Sequence, residues 1–348
     1  MSELVKPDGT LNEAAIAERE TLYTGMNGQR VERLFLVTGE RVIFKPLTND
    51  SQLGREAWVY AHVLPAFPPI YPRLLAYSGI TVAGYENAGQ GASATAGLAG
   101  HEAGEGGGWC LFEDLGRLSH DFEVSAAEAL IPRIAEWHAL PVEGLLDAPL
   151  LGPKPMIDAL LRDVLSREAD LRKALSAVSA GVESLELVLA PLKTGGTFDP
   201  RESGWSARVL SHGDLHLGNY ALANGQLKVL DWEHVHLNSP YWDLYHLLDL
   251  SHPVFPKAME AADRERLLEL YANESARRGT ALPPDFKRAY ALFAAVFSLW
   301  MLLLIEKDLA ALAVSADLPS KWSPEQLRRQ RAETLDSFAQ CASMLGDR

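Results

Sequence analysis

The residues that could do chemistry cluster in one short stretch. It runs His212-Gly213-Asp214-Leu215-His216-Leu217-Gly218-Asn219 and is followed by Lys228-Val229-Leu230-Asp231-Trp232-Glu233. An aspartate, an asparagine five positions later and a second aspartate closing the next strand-like run are the parts that phosphoryl transfer from a nucleoside triphosphate needs. One carboxylate must orient an acceptor hydroxyl and accept its proton. A carboxylate and an amide oxygen must hold the magnesium ions that bridge the phosphates. A polar loop that merely turns also uses Asp and Asn, but it does not account for residue types, spacing and flanking strands together.

Such groups need a frame. Residues 12–20 read as a short amphipathic helix, and residues 30–37 and 41–45 as strands around a tight turn at Thr38-Gly39-Glu40. Helical periodicity over residues 51–64 stops at Pro65. Residues 86–108 are a low-complexity run of Gly, Ala, Ser and Thr, expected as a flexible surface excursion rather than packed structure. Trp109-Cys110-Leu111-Phe112 resumes as a buried strand. Beyond Gly116, helical patterns cover residues 126–140, 156–175 and 182–189. Short strand-like runs bracket the polar loop near Val209, and the chain is helical again from Tyr241. The outline is a small β-rich region, residues 1–113, followed by a larger, mostly helical one, residues 114–348, with no internal repeat.

Composition narrows the partners. A formal net charge of −14 lacks the basic footprint of a nucleic-acid binder. Two distant cysteines, Cys110 and Cys341, form neither a disulfide framework nor a CxxC pair, which points to a reducing cytoplasm. The first residues lack the basic-then-apolar pattern of a signal peptide. Residues 289–305 are apolar enough to weigh as a membrane span, yet sit at the short edge of the required length. Tyr290 and Ser298 interrupt the run and charges flank it, so it reads as a buried core helix with no membrane partner.

The HGDxHxxN loop with Asp231-Trp232-Glu233 resembles the aminoglycoside phosphotransferase and choline kinase family. The resemblance runs from about residue 20 to about residue 310, leaving out the Gly/Ala-rich insert and the tail after about Ser315. It implies an α+β, protein-kinase-like two-lobed fold that uses ATP and Mg2+. The ATP-clamp lobe would be residues 1–113. By the same resemblance, Asp214 is the catalytic base and Asn219 and Asp231 are the magnesium ligands. His212 and Asp243 brace the loop, and His216 either contacts the active site or packs beside it. Lys45 resembles the strand lysine that contacts the α- and β-phosphates, with Glu56 as its carboxylate partner. Gly25 and Gly28 belong to the loop over the phosphates, and the backbone near Glu113 and Leu115 is the hinge that reads adenine. Trp137-His138-Ala139-Leu140 matches a structural helix.

The acceptor must be small. Only Trp232 to Asn238 separate Asp231 from Ser239-Pro240, which leaves no room for a segment that docks a protein substrate. Glu233, where the protein-kinase pattern has glycine, also removes backbone freedom. The expected partner is a small-molecule hydroxyl acceptor, aminoglycoside-, amino-alcohol- or sugar-like. Asp249, Glu269, Glu274, Glu306 and Asp308 could receive ammonium groups, and Trp242, Tyr245, Trp300 and Trp322 could cage a cation. Each of these residues also reads as solvated surface or core. The alternative function is a catalytically silent ATP-binding regulator of the same fold, against which the intact Lys45, Asp214, Asn219 and Asp231 set argues. A different ATP-using enzyme, such as a P-loop phosphotransferase, is the other rival, and the absence of GxxxxGK[ST] argues against it.

Overall fold

The computed structural model describes residues 4–6, 8–24, 28–46, 55–78, 99–101, 108–145, 154–194, 203–223, 225–314 and 322–346. The chain divides into two compact units: Met1–Ser119 with Leu222–Val235, and His120–Ala221 with His236–Arg348.

The first unit is built on a six-stranded sheet of order β1-β2-β3-β6-β4-β5. Its strands are β1 (Ile16–Thr24), β2 (Arg30–Leu36), β3 (Arg41–Pro46), β4 (Leu74–Ser78), β5 (Ala99–His101) and β6 (Trp109–Glu113), with helix α1 (Arg55–His62) between β3 and β4. All neighbours are antiparallel except β4 and β5. Alternation along each strand sorts the side chains onto two faces. Val42 and Phe44 of β3 join Leu34, Leu36, Ala76, Trp109 and Leu111 in a core that Leu4, Val5 and Leu11 close. Lys45 and Cys110 are cross-strand partners, and by alternation they belong to the other face. Glu56 on α1 lies 2.8 Å from Lys45, so α1 covers that second face.

Two expectations for this unit are corrected. Residues 12–20 are not an amphipathic helix: a single 3-10 turn, Glu13–Ala15, leads directly into β1. Helix-forming residues yield here because pairing with β2 satisfies their backbone groups. The Gly/Ala-rich run is not wholly outside packed structure, since Ala99–His101 pairs in parallel with β4 at the sheet edge. That pairing uses backbone groups, which small side chains neither encourage nor prevent. The remainder of the run up to Gly108 lies outside the described residues.

The second unit is mostly helical. It contains α2 (Val124–His138), α3 (Ile157–Ser166), α4 (Glu168–Leu175) and α5 (Gly181–Thr194), then the strands β7 (Val209–Ser211) and, past the division, β10 (His236–Asn238); between them β8 (Tyr220–Ala223) straddles the division and β9 (Gln226–Val229) belongs to the first unit. Here β7 pairs with β10, and β8 with β9; the division between the units falls within β8. The helices α6 (Pro240–Leu248), α7 (Ala261–Arg277), α8 (Phe286–Val314) and α9 (Pro324–Gly346) complete it. The single helical pattern read over residues 156–175 is two helices, broken where Arg167 leaves helical geometry at φ −113°, ψ 26°. Helix α8 is apolar and long enough to cross a membrane by composition alone. Its apolar window is 78% buried within the protein, and it serves as the core helix of this unit.

Every residue of α6 is buried, so its ends must be satisfied internally. Ser239 caps the start by accepting from the Tyr241 amide. At the far end, Lys257 Nζ donates to the carbonyls of His246 and Leu247 at 3.2 and 2.8 Å. Burial pushes this lysine down to about 7, with Asp249 opposing the shift. Asp249 follows directly and ties α6 to three other helices. Arg264 of α7 donates to its two oxygens from Nε at 2.9 and 3.2 Å and from Nη2 at 2.6 Å. Tyr290 of α8 donates through its hydroxyl, and Ser337 of α9 does so at 2.8 Å.

Removing one member of a buried charge pair leaves the other stranded. Arg264→Met is therefore expected to lower the unfolding free energy by about 3–5 kcal/mol in urea titrations. Arg331→Met, which breaks the partly exposed pair with Glu306, should cost no more than about 1 kcal/mol.

Candidate active site

The loop after β7 is anchored by one carboxylate. Asp243, fully buried on the first turn of α6, accepts at Oδ1 from Ser211 Oγ at 2.6 Å and the Gly213 amide at 3.1 Å. At Oδ2 it accepts from the His212 amide at 2.9 Å, Trp137 Nε1 at 2.9 Å and His138 Nε2 at 3.2 Å. The Tyr271 hydroxyl lies 2.8 Å from His138 Nδ1, which fits a ring whose Nε2 carries the proton given to Asp243. Burial alone would raise the Asp243 carboxyl, but His138, His212 and Ser211 outweigh it and hold the group well below the usual carboxylate range. To present two successive amides to it the chain turns through Gly213 at φ +86°, and Trp242 Nε1 closes the turn on the Gly213 carbonyl at 2.9 Å. Glycine reaches this conformation without strain.

The fixed loop presents Asp214. His212 accepts from its amide at 3.3 Å, and Asn219 Nδ2 donates to its carbonyl at 2.7 Å. The carboxylate is 21% exposed, with Lys154 Nζ 3.2 Å from Oδ1. His216 Nε2 lies 3.7 Å from Oδ2 and His246 Nε2 3.9 Å from Oδ1. His246 donates Nδ1–H to the Trp242 carbonyl, which directs an Nε2 lone pair towards Asp214. Burial pushes His246 down to about 3, against the pull of Asp214, so it stays neutral at physiological pH.

The first unit holds a second cluster. Lys45 Nζ meets Glu56 at 2.8 Å, Asp231 at 2.5 Å and Glu233 at 3.2 Å. Burial opposes the ammonium charge, but Asp231, Glu56 and Glu233 outweigh it and hold the lysine well above its usual range. Burial raises the Glu56 carboxyl to about 7, with Lys45 opposing and the other carboxylates adding to it. Asp231 sits at φ +60°, ψ 63°, a left-handed conformation uncommon for a residue with a Cβ. The turn Trp232–His234 that follows is docked on α1, where the Trp232 amide donates to Glu56 Oε1 at 3.3 Å. Three carboxylates around one ammonium leave excess negative charge, and single ligand oxygens of Glu56, Asp231 and Glu233 lie within 4.8 Å of one another. These are hard oxygen donors that suit magnesium. Asn219, in the other unit, commits Nδ2 to the Asp214 carbonyl, which leaves its Oδ1 as a donor of the same kind.

The site residues read from the sequence thus fall into these two groups: Lys45, Glu56 and Asp231 in one unit, His212, Asp214, Asn219 and Asp243 in the other. Gly25 lies outside the described residues, and Gly28 sits at φ +80° with open space around it. Glu113 binds Arg73 through its carboxylate at 2.7 and 2.9 Å, and its amide donates to the Arg73 carbonyl; Leu115 follows on an irregular segment. Glu233, Lys154 and His246 were missed as partners. His246 had a signal, because it stands three positions after Asp243 on the same helix face. Glu233 had one in its nearness to Asp231. Lys154, between two prolines, had none.

The acceptor candidates sort differently. Asp249 is consumed by Arg264, Glu269 by Lys287, Glu274 by Arg277 and Glu306 by Arg331. Trp242 and Tyr245 are core. Rings do gather beside Asp214: His216 stacks on His252 at 4.4 Å, His252 meets Phe255 at 5.0 Å and Trp322 at 5.4 Å. Phe255 approaches the loop so closely that a Cβ on Gly218 would overlap its ring.

The profile of the Phosphotransferase enzyme family (APH) matches residues 81–281, more than half of the chain. No curated protein matches the sequence. Several solved structures do. An aminoglycoside 2'-phosphotransferase-IIIa in complex with GDP has 15% identity and a TM-score of 0.54, with 93% of this chain and 94% of that one covered. A choline kinase from Cryptosporidium parvum Iowa II has 11% identity and a TM-score of 0.53, covering 97% and 92%. The macrolide 2'-phosphotransferase MphH from Brachybacterium faecium has 16% identity and a TM-score of 0.50, covering 91% of each. At these identities the likeness speaks for the fold: α+β and protein-kinase-like, β-rich in its N-terminal part and mainly helical in its C-terminal part.

Asp243 has a depressed pKa in the folded protein. The stability it contributes is present above its unfolded value of about 4 and fades as the pH falls through the folded value. In urea titrations at pH 7, Asp243→Asn should cost about 3 kcal/mol or more. At pH 3 the gap from the wild type should be clearly smaller.

Proposed function

Because the chain belongs to the phosphotransferase enzyme family, we propose that it is an ATP- and magnesium-dependent kinase that phosphorylates a hydroxyl of a small molecule. The observation that carries this reading is the presentation of Asp214. Its backbone is fixed by Asp243, His212 and Asn219, while its carboxylate stays partly exposed. A loop kept only for structure has no reason to hold a carboxylate open in this way.

In the proposed reaction Asp214 receives the acceptor hydroxyl as a hydrogen-bond donor, orients its oxygen towards the γ-phosphorus and takes the proton. Lys45, held in place by Glu56, binds phosphate oxygens of the nucleotide. Magnesium, when bound, neutralises phosphate charge, and Asn219 and Asp231 are the residues that would hold it. Neutral His246 and the ring of His216 flank the Asp214 carboxylate. The shelf of His216, His252, Phe255 and Trp322 favours an acceptor that offers a flat, apolar or cationic face. Aminoglycoside-, amino-alcohol- and sugar-like acceptors all meet that description in part. The buried free thiols of Cys110 and Cys341 suit a reducing cytoplasm.

ADP release should be measured across a panel of hydroxylated amines and sugars, with and without magnesium. With a confirmed acceptor, Asp214→Asn is expected to keep Mg·ATP binding and to lose at least about 100-fold in turnover. Asp231→Asn should raise the magnesium concentration needed for half-maximal rate as well as lower turnover. Turnover of Asp214→Asn close to the wild-type value would sink the reading.

ATP alone should raise the melting temperature only slightly, and ATP with magnesium should raise it clearly, because metal and phosphate each increase affinity for the other. An equal shift in the presence of chelator would count against Asn219 and Asp231 as ligands.

A further inference from the structure

We infer that Lys154 is a catalytic residue, the cation that stabilises the phosphoryl group as it passes to the acceptor held at Asp214. The inference rests on the kinase reading above. Its starting point is an ion pair made by the Asp214 carboxylate. Lys154 Nζ stands 3.2 Å from Asp214 Oδ1, and among the described residues this is the lysine's ion pair. Holding the Asp214 carboxylate in place is one task for this ammonium.

The geometry supplies a second task. A hydroxyl that donates to Asp214 has its oxygen about 3 Å from the carboxylate, and the phosphorus it attacks lies roughly 3–3.5 Å beyond. A lysine already in contact with Asp214 and still 26% exposed reaches the oxygens of that phosphoryl group by a small swing of its side chain. An ammonium has three donors, so it can keep Asp214 and take a phosphoryl oxygen together. Among the described residues, the other ion-pair partners of this carboxylate are the rings of His216 and His246, and His246 is held neutral. Lysine supplies the full positive charge there.

The transfer then balances simply. The acceptor oxygen forms a bond to the γ-phosphorus while the bond from that phosphorus to the β,γ-bridging oxygen breaks, and ADP leaves with the electron pair. The hydroxyl proton goes to Asp214, and Lys154 remains protonated throughout.

A test independent of the acceptor uses aluminium fluoride with Mg·ADP, a planar anionic stand-in for the phosphoryl group in flight, read by calorimetry. Aluminium fluoride should tighten Mg·ADP binding to the wild type. Lys154→Met should lose at least about tenfold of that tightening with Mg·ADP affinity itself unchanged, and Lys154→Arg should keep most of it. Full tightening in Lys154→Met would overturn the inference and leave the kinase reading intact. No tightening in the wild type would overturn both. The loss must also persist in an Asp214→Asn background, because a loss that vanished there would make Lys154 a mere prop for the aspartate.

Discussion

The second unit depends on a buried charge that cannot be left unpaired. Removing a carboxylate from water costs several kcal/mol per ion unless donors surround it, and Asp243 is surrounded by five, drawn from α2, from β7 and from the loop that follows. The requirement runs in both directions. The carboxylate needs the donors, and the amides of His212 and Gly213 need an acceptor where no strand partner can reach them. Satisfying both sets leaves the chain one path, through the left-handed turn at Gly213, and that path decides where Asp214 points. Asp249 repeats the arrangement at the other end of α6 with Arg264, Tyr290 and Ser337. The helix is thereby held at both ends by charges that have no cheaper state.

The cluster around Lys45 follows the opposite logic. Its ammonium faces three carboxylates, and burial, reinforced by the neighbouring carboxylates against the pull of Lys45, raises the proton affinity of Glu56. Asp231 adds a backbone conformation that a residue with a Cβ rarely adopts. Strain and unbalanced charge at one point are what a site looks like when its stability is completed by a ligand. Asp243, satisfied entirely from within, is the contrasting case of a carboxylate that serves structure.

The same distinction explains the acidic residues that looked available for an acceptor. Nearly every such carboxylate the structure describes turns out to be consumed by an arginine or lysine, buried in the case of Asp249 and on the surface for Glu269, Glu274 and Glu306. The negative net charge of the chain is therefore no guide to what binds at Asp214. Rings are what gather there, with Phe255 packed against Gly218 where any Cβ would overlap it.

Much of the candidate site was legible in the amino-acid sequence because its parts are close along the chain. Asp214, Asn219 and Asp231 lie on one loop and the strands that follow it, at the spacing the proposed phosphoryl transfer would need. Most strands and helices were equally legible from their periodicity. Residues 12–20 were not, because a helix-prone segment became a strand once β2 offered its backbone a partner, and a partner is absent from local propensity. Ala99–His101 failed for the same reason, with backbone pairing in place of side-chain pattern. Lys154 is the clearest case of what only tertiary structure decides. It stands 60 positions from Asp214 in the sequence, in a loop with no pattern to distinguish it, and it becomes meaningful only when folding brings its charge against that carboxylate. Spacing along the chain records which groups are presented together by one loop; which charges meet across the fold is set by packing, where no local rule reaches.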